Sequence, residues 1–206
     1  MKLVRSLLSC AALITIIGCA GKGERIDIAI PGQYAGAPVT GRVPGTLRVA
    51  VLPFEDKRTN HAHLGTRAHF WGGNSYFDLP NNTVSQTSTQ ALVDYLNRRG
   101  WQASLARTQG SNGADVTIAG TIQDLSIDAS GGFLHTDLAA KNTLMLRVTN
   151  HNDESVVRER VRGEGTDQVF WFEPEDAQAL TTELFEKNFQ KFLEDIRVEG
   201  RSVRLR

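Results

Sequence analysis

Beyond residue 19 the 206-residue chain has no cysteine; its two cysteines are Cys10 and Cys19. A disulfide framework is thereby excluded for whatever folds downstream, and thiol catalysis has no free nucleophile there. The folded part must rest on an apolar core. An excess of one charge is also lacking, since 23 Lys and Arg balance 23 Asp and Glu. Nucleic-acid binders show a basic excess, so that class of partner is not expected. After residue 20 no apolar run approaches the roughly 20 residues needed to cross a bilayer as a helix. Catalytic signatures are missing as well: there is no G-x-S-x-G, no Walker A loop and no H-E-x-x-H. Gly21-x-Gly23 lacks the remaining glycine of a dinucleotide loop and follows no folded strand. The expectation is a protein without enzymatic activity or cofactor.

What the first 19 residues do contain is an address. Lys2 and Arg5 precede an apolar stretch from Leu7 to Gly18, broken only by Ser9, Cys10 and Thr15. That layout fits a secretory signal and is too short for a transmembrane helix. It ends Ile16-Ile17-Gly18-Cys19, which resembles the lipobox of bacterial lipoproteins. The chemistry needs a thiol to accept diacylglycerol and a small residue before it for the peptidase. Residues 1–18 are therefore expected to be removed and Cys19 lipidated, with two or three acyl chains giving stable membrane attachment. Ala20 stands where an aspartate resembles the inner-membrane retention signal of enterobacterial lipoproteins. The expected location is the periplasmic face of the outer membrane.

Residues 20–45 hold six of the 19 glycines and three of the six prolines, Pro31, Pro38 and Pro44. With Cys19 they read as a tether. Within it Ile26-Asp27-Ile28-Ala29-Ile30 alternates as a short strand, either free or docked on a domain edge.

A single domain is expected over 46–200. Leu47 to Phe54 is apolar on both faces apart from Arg48, as in a buried strand closed by Pro53. Glu55 to Pro80 shows no clean period and reads as a long loop. Thr83 and Gln86 have capping-box spacing ahead of a helix over Val84–Arg99, with Gly100 placed to end it. Trp101–Leu105 reads as a short strand and Gly110–Gly113 as a turn. In Asp115–Asp128 the apolar positions change parity, which predicts a bulge near Gln123-Asp124. Thr143–Thr149 and Ser155–Arg162 alternate on either side of a turn and read as a hairpin, its wet face carrying Arg147, Arg158, Arg160 and Arg162. Glu173-Pro174-Glu175-Asp176 opens a last helix with a broad apolar face. The predicted order is β-α-β-β-β-β-α: an α+β fold, mostly antiparallel, with two helices on one sheet face. Residues 201–206 read as a basic tail.

Leu47–Asn60, LRVAVLPFEDKRTN, resembles the first strand and turn of small periplasmic domains such as the amino-terminal domain of TolB and the CsgG-type lipoproteins. The whole layout is more similar to the YajG family of uncharacterised outer-membrane lipoproteins: lipobox, Ile-rich strand before a proline, Asp56-x-Arg58-Thr59 after a strand, a helix ending Arg-Gly-aromatic, and a carboxy-terminal helix. A long aromatic insertion after Asn60 departs from that pattern. The resemblance implies location and fold, and no catalytic residues.

Several groups stand out as candidate sites. His61, His63 and His69 offer imidazoles for zinc or copper, but no cysteine or carboxylate stands at ligand spacing among them, so solvated or hydrogen-bonded histidines are the default. Phe70, Trp71, Tyr76 and Phe77 surround Gly72 and Gly73. They form either a small core beneath the loop or an exposed patch that contacts a protein, a glycan or lipid. Phe170-Trp171-Phe172 reads as a staple on the last helix. Asp56 and Arg58 read as a turn acid and an exposed base. Arg197, Arg201, Arg204 and Arg206 read as a solvated terminus, or as a contact to anionic lipid or another envelope polyanion. The expected function is an envelope lipoprotein whose domain binds another envelope component. Lipid or glycan handling is the alternative, and a histidine-based metalloenzyme ranks last.

Overall fold

The computed structural model describes residues 23–30, 47–80, 83–108 and 113–206. The expected signal segment, Cys19, the remainder of the glycine- and proline-rich stretch and residues 110–112 of the expected turn lie outside the described residues. Eleven strands and two helices are described: β1 Arg25–Asp27, β2 Arg48–Val51, β3 Glu55–Asp56, β4 Gly65–Ala68, β5 Asn74–Asp78, α1 Val84–Arg98, β6 Gln102–Leu105, β7 Val116–Gly131, β8 Thr136–Asn150, β9 Val156–Val169, α2 Pro174–Asp195, β10 Ile196–Glu199 and β11 Ser202–Leu205. The fold is α+β, with both helices on one face of a mixed, mostly antiparallel sheet.

The antiparallel meander β7–β8–β9 is the spine. Along β8 Leu138, Ala140, Leu144, Leu146 and Val148 are buried while Asp137, Lys141 and Arg147 are exposed. That period of two puts one face on the core and one in water. Arg158, Arg160 and Arg162 of β9 are exposed, as expected. The register of β7 against β8 slips between Ile122 and Asp124. The inward set passes there from Val116, Ile118 and Ile122 to Leu125 and Ile127, all buried, which is the predicted bulge.

The far edge of β7 serves two groups of strands. Its first half pairs in parallel with β2, which pairs in parallel with β6. Its last residues pair with β4, followed by β5 and then β1. Segment 55–80 is thus not a loop. It contains β3 and a β4–β5 hairpin, and its strands escape detection because they are two to five residues long. Gly65 crosses β7 so closely that a Cβ would lie 1.8 Å from the Ile127 carbonyl oxygen, so only glycine fits. The Ile26–Ile30 segment is docked, not free: Arg25–Asp27 pair with Tyr76–Asp78, and Ile28 and Ile30 are buried.

Helix α1 starts with the predicted capping box. The Gln86 backbone N–H donates to Thr83 Oγ1 at 3.2 Å, and the Thr83 N–H donates to Gln86 Oε1 at 3.1 Å. Gly100, at φ 89°, follows its end. Pro174 opens α2, and Asp176 accepts from the Glu173 N–H at 2.8 Å. The two helices meet through Tyr95 and Phe189, whose rings are 5.5 Å apart, and through Arg98 and Glu186. Helix α2 buries Phe185, Phe189 and Phe192 against β8 and β9.

The chain does not fray after α2. β10 and β11 form a hairpin clamped to the β8–β9 turn by Asn150, whose Oδ1 accepts from the Val203 N–H at 2.7 Å while its Nδ2 donates to the Val203 carbonyl at 2.9 Å. The expected solvated arginine tail is therefore corrected. Arg204 pairs with Asp153, Arg201 with Asp115, Arg197 with Glu199, and Arg206 donates to the Ile196 carbonyl. These cations are held by the fold and do not form a free polyanion-binding tail.

Candidate contact surface

β7 and β8 each run about 15 residues, so the two ends of the spine lie roughly 50 Å apart at about 3.3 Å per residue. The ends differ in chemistry. At one end are the β8–β9 turn, the carboxy-terminal hairpin and Asp115. Asp115 is buried and accepts from the Arg48 N–H at 3.0 Å. Burial alone would raise its pKa, but the hydrogen bonds from Arg48 and Arg201 hold it below the ordinary carboxylate range. This end is polar and cross-linked by ion pairs.

At the other end three loops converge: the β4–β5 tip at His69–Gly73, the β7–β8 tip at Gly132–His135, and the β9–α2 link at Phe170–Glu173. Register dictates the convergence. Ala68 pairs with Ser130, and Thr136 pairs with both Gly131 and Val169. The loops surround a groove of about 650 Å³. Trp71 is 91% exposed, Trp171 78%, Phe170 73% and Phe133 72%, with Leu134 and Phe70 also open to solvent. Phe70 stands edge-on to Trp71 at 4.9 Å and lies 6.3 Å from Phe133. At about 200 Å² per large side chain these six expose roughly 800 Å², above the roughly 300–600 Å² of the largest apolar patch on a typical monomer.

The four aromatics of the 60–80 segment therefore divide. Phe70 and Trp71 belong to the exposed patch. Tyr76 is half-buried and stacks on His63 with ring centroids 4.4 Å apart. Phe77 is fully buried, 6.0 Å from Phe172, and is a core residue rather than a contact residue. Its alternation with Ser75 on the inner face of β5 explains this. Of Phe170, Trp171 and Phe172 only Phe172 is buried, under the Arg67 guanidinium at 4.0 Å, while Phe170 and Trp171 are exposed. Phe133 and Leu134 escaped the sequence reading. The available signal is an apolar pair at the tip of a Gly-Gly turn, with Leu134 at φ 63°.

The three histidines do not converge. His61 Nδ1 lies 3.3 Å from Asp56, His63 Nδ1 is 2.9 Å from Asp78, and His69 Nε2 is 2.7 Å from the Ser75 hydroxyl. Burial, with the Arg67 charge, lowers the pKa of His69 and favours its neutral ring. Among the described residues no three His, Cys, Asp or Glu side chains are arranged to hold a metal ion.

The Asp56-x-Arg58-Thr59 motif also has a structural place. Arg58 is buried, not exposed: its Nε lies 3.0 Å from Asp56, and its Nη1 donates to the Leu125 carbonyl at 3.3 Å. Leu125 follows the β7 bulge, on the edge between the positions paired with β3 and β4. Arg58 thus satisfies a carbonyl that no strand reaches. Burial alone would raise the Asp56 pKa, but Arg58 holds it below the ordinary value.

Neither a protein-family model nor a curated protein matches this chain, so the YajG-like resemblance rests on the motifs above. Solved structures do match. A Xanthomonas campestris protein of the DUF330 family is 12% identical, with 84% of this chain covering 93% of that one at a TM-score of 0.47. A Helicobacter pylori homolog of a neuraminyllactose-binding hemagglutinin is 8% identical, with coverage of 83% and 95% and a TM-score of 0.44. A Neisseria meningitidis lipoprotein, GNA1162, is 10% identical, with coverage of 72% and 99% and a TM-score of 0.39. This chain is similar to these proteins in outline over most of their length.

Proposed function

We propose that this chain is an envelope lipoprotein, anchored through Cys19 to the periplasmic face of the outer membrane, whose non-catalytic domain binds another envelope component through its aromatic end. The observation that carries the reading is the convergence of Phe70, Trp71, Phe133, Leu134, Phe170 and Trp171 from three separate loops on one groove. Solvent-exposed rings at one loop tip need no explanation, but six large apolar side chains gathered by three turns form a surface suited to contact. The positively charged start, the apolar stretch and the Ile-Ile-Gly-Cys ending support the anchor.

Photo-crosslinking in cells tests this reading. A reactive group at position 71 is expected to give a discrete adduct, protein or lipid, while one at Arg160, exposed on the wet sheet face, gives none. Adducts from position 160 alone would move the contact to the sheet and overturn the assignment. A mature amino terminus at Cys19 that carries no acyl group, read by mass spectrometry, would overturn the anchor.

A further inference from the structure

We infer that the component met by the aromatic end is the bilayer that holds the chain's own anchor, so that the domain sits on the membrane with Phe70, Trp71, Phe133, Phe170 and Trp171 in the lipid interface. The inference deepens the function proposed above and rests on its lipid anchor at Cys19.

Three observations lead to it. The first is where the chain leaves the fold. The Gly23 N–H donates to the Asn74 carbonyl at 2.8 Å, one residue past the β4–β5 tip, and Tyr76 N–H donates to the Glu24 carbonyl at 2.8 Å. β1 runs parallel to β5, away from the tip. The chain therefore comes into β1 from the aromatic end. Cys19 stands four positions before Gly23, and at no more than about 3.6 Å per residue the covalent chain allows roughly 14 Å between them. Docking of residues 23–30 removes most of what the sequence offers as a tether. A lipid on Cys19 thus brings the membrane to the aromatic end and holds the ion-paired end roughly 50 Å away.

The second is the composition of the tips. His69–Gly73, Gly131–His135 and Phe170–Phe172 contain no Lys, Arg, Asp or Glu. Full charges are costly in the apolar part of a bilayer, whereas Trp and Phe are favoured at its interface. At His69 burial and the Arg67 charge disfavour the charged ring. The charged groups near the patch, Glu24, Arg67, Asp137 and Glu173, lie outside the three tips.

The third is the shape of the patch. Its rings come from turns on three neighbouring chain segments and surround an open groove. Each ring can enter the interface from above while the turn backbones stay at headgroup level, hydrated. A hydrophobic contact of this kind supplies the second attachment that turns a flexible lipid leash into a fixed orientation.

The test uses the full lipidated chain in vesicles of phosphatidylethanolamine and phosphatidylglycerol with brominated acyl chains. Cys19 is blocked by lipid and Cys10 is removed with the signal, so Phe133→Cys and Asn152→Cys each give one labelling site for an environment-sensitive fluorophore. The label at 133 is expected to shift to the blue and lose emission to the bromines, while the label at 152 does neither. A label at 133 that stays fully quenchable by iodide, in a chain floating with the vesicles, overturns the inference and leaves the lipoprotein reading standing. Shielding from iodide without bromine quenching means a second copy of the chain covers the patch, and also overturns it. If the chain does not float and the mass of its amino terminus shows no acyl group on Cys19, the lipoprotein reading itself fails.

Discussion

Phe77 and Trp71 lie six residues apart in one hairpin, and they are expected to respond to truncation in opposite ways. Phe77 is fully enclosed and packs on Phe172, which in turn supports Arg67. Replacing it with alanine removes a ring from a core that cannot collapse around the void, at about 3–5 kcal/mol. Against a total stability of about 5–15 kcal/mol this is a large fraction. With a urea slope of about 2 kcal/mol/M, the midpoint should fall by roughly 2 M. Trp71 is 91% exposed and touches little beyond the edge of Phe70. Its replacement by serine should stay within about 0.5 kcal/mol. Urea unfolding of the detergent-solubilised chain, followed by far-UV circular dichroism, reads both without interference from the lost indole. A Trp71→Ser midpoint that falls as far as that of Phe77→Ala would show that the tip aromatics form a small core of their own, and the contact-surface argument would collapse with it.

Three further outcomes are expected. Asn150→Ala leaves the Val203 N–H and carbonyl without their partners, at about 1–3 kcal/mol for each buried group; proteolysis should then release the β10–β11 hairpin first, and an unchanged pattern would refute the clamp. The side-chain amide of Asn142 is buried under α2 without a hydrogen-bond partner among the described residues, so Asn142→Leu should hold or raise the midpoint, by up to about 2 kcal/mol, and a loss above about 1 kcal/mol would show an unrecognised partner. Asp56 and Asp115 have folded pKa values below the ordinary 3.8. Their contribution is complete above that value and lost as the pH falls through the lower folded values, so Asp115→Asn should flatten the acid limb of stability against pH, while an equally steep limb would place the acid sensitivity elsewhere.

Much of this fold is legible in the sequence, and the gaps have physical causes. α1 is readable because Thr83, Gln86 and Gly100 mark its ends, and the β7 bulge because Ile122 and Leu125 break parity. β9 runs to Val169, beyond the expected end at Arg162, because its next inward positions are Gly163 and Gly165. Leu180, Leu184 and Asn188 of α2 fill the space those glycines leave, so the hydrophobic period vanishes from the strand and reappears on the helix. β4 and β5 are short, and Gly65 replaces an apolar residue where β4 crosses β7, so their pairing shows only in three dimensions. The contact surface is harder still. Trp71 and Trp171 are visible as aromatics, but only the register of β4, β7, β8 and β9 places them beside Phe133. No local pattern separates Phe77, which points inward, from Trp71, which does not.

In the envelope the aromatic end is expected to be covered while the ion-paired end stays open. Trp71→Cys and Asn152→Cys, each the only free thiol of the mature lipidated chain, can be exposed to a membrane-impermeant maleimide in intact envelopes and again after detergent extraction. The account predicts that position 152 labels fully in both states and that position 71 labels only after extraction. Equal labelling of position 71 before and after extraction would show the patch bare in its native setting, and would contradict both the contact surface and its seating on the membrane.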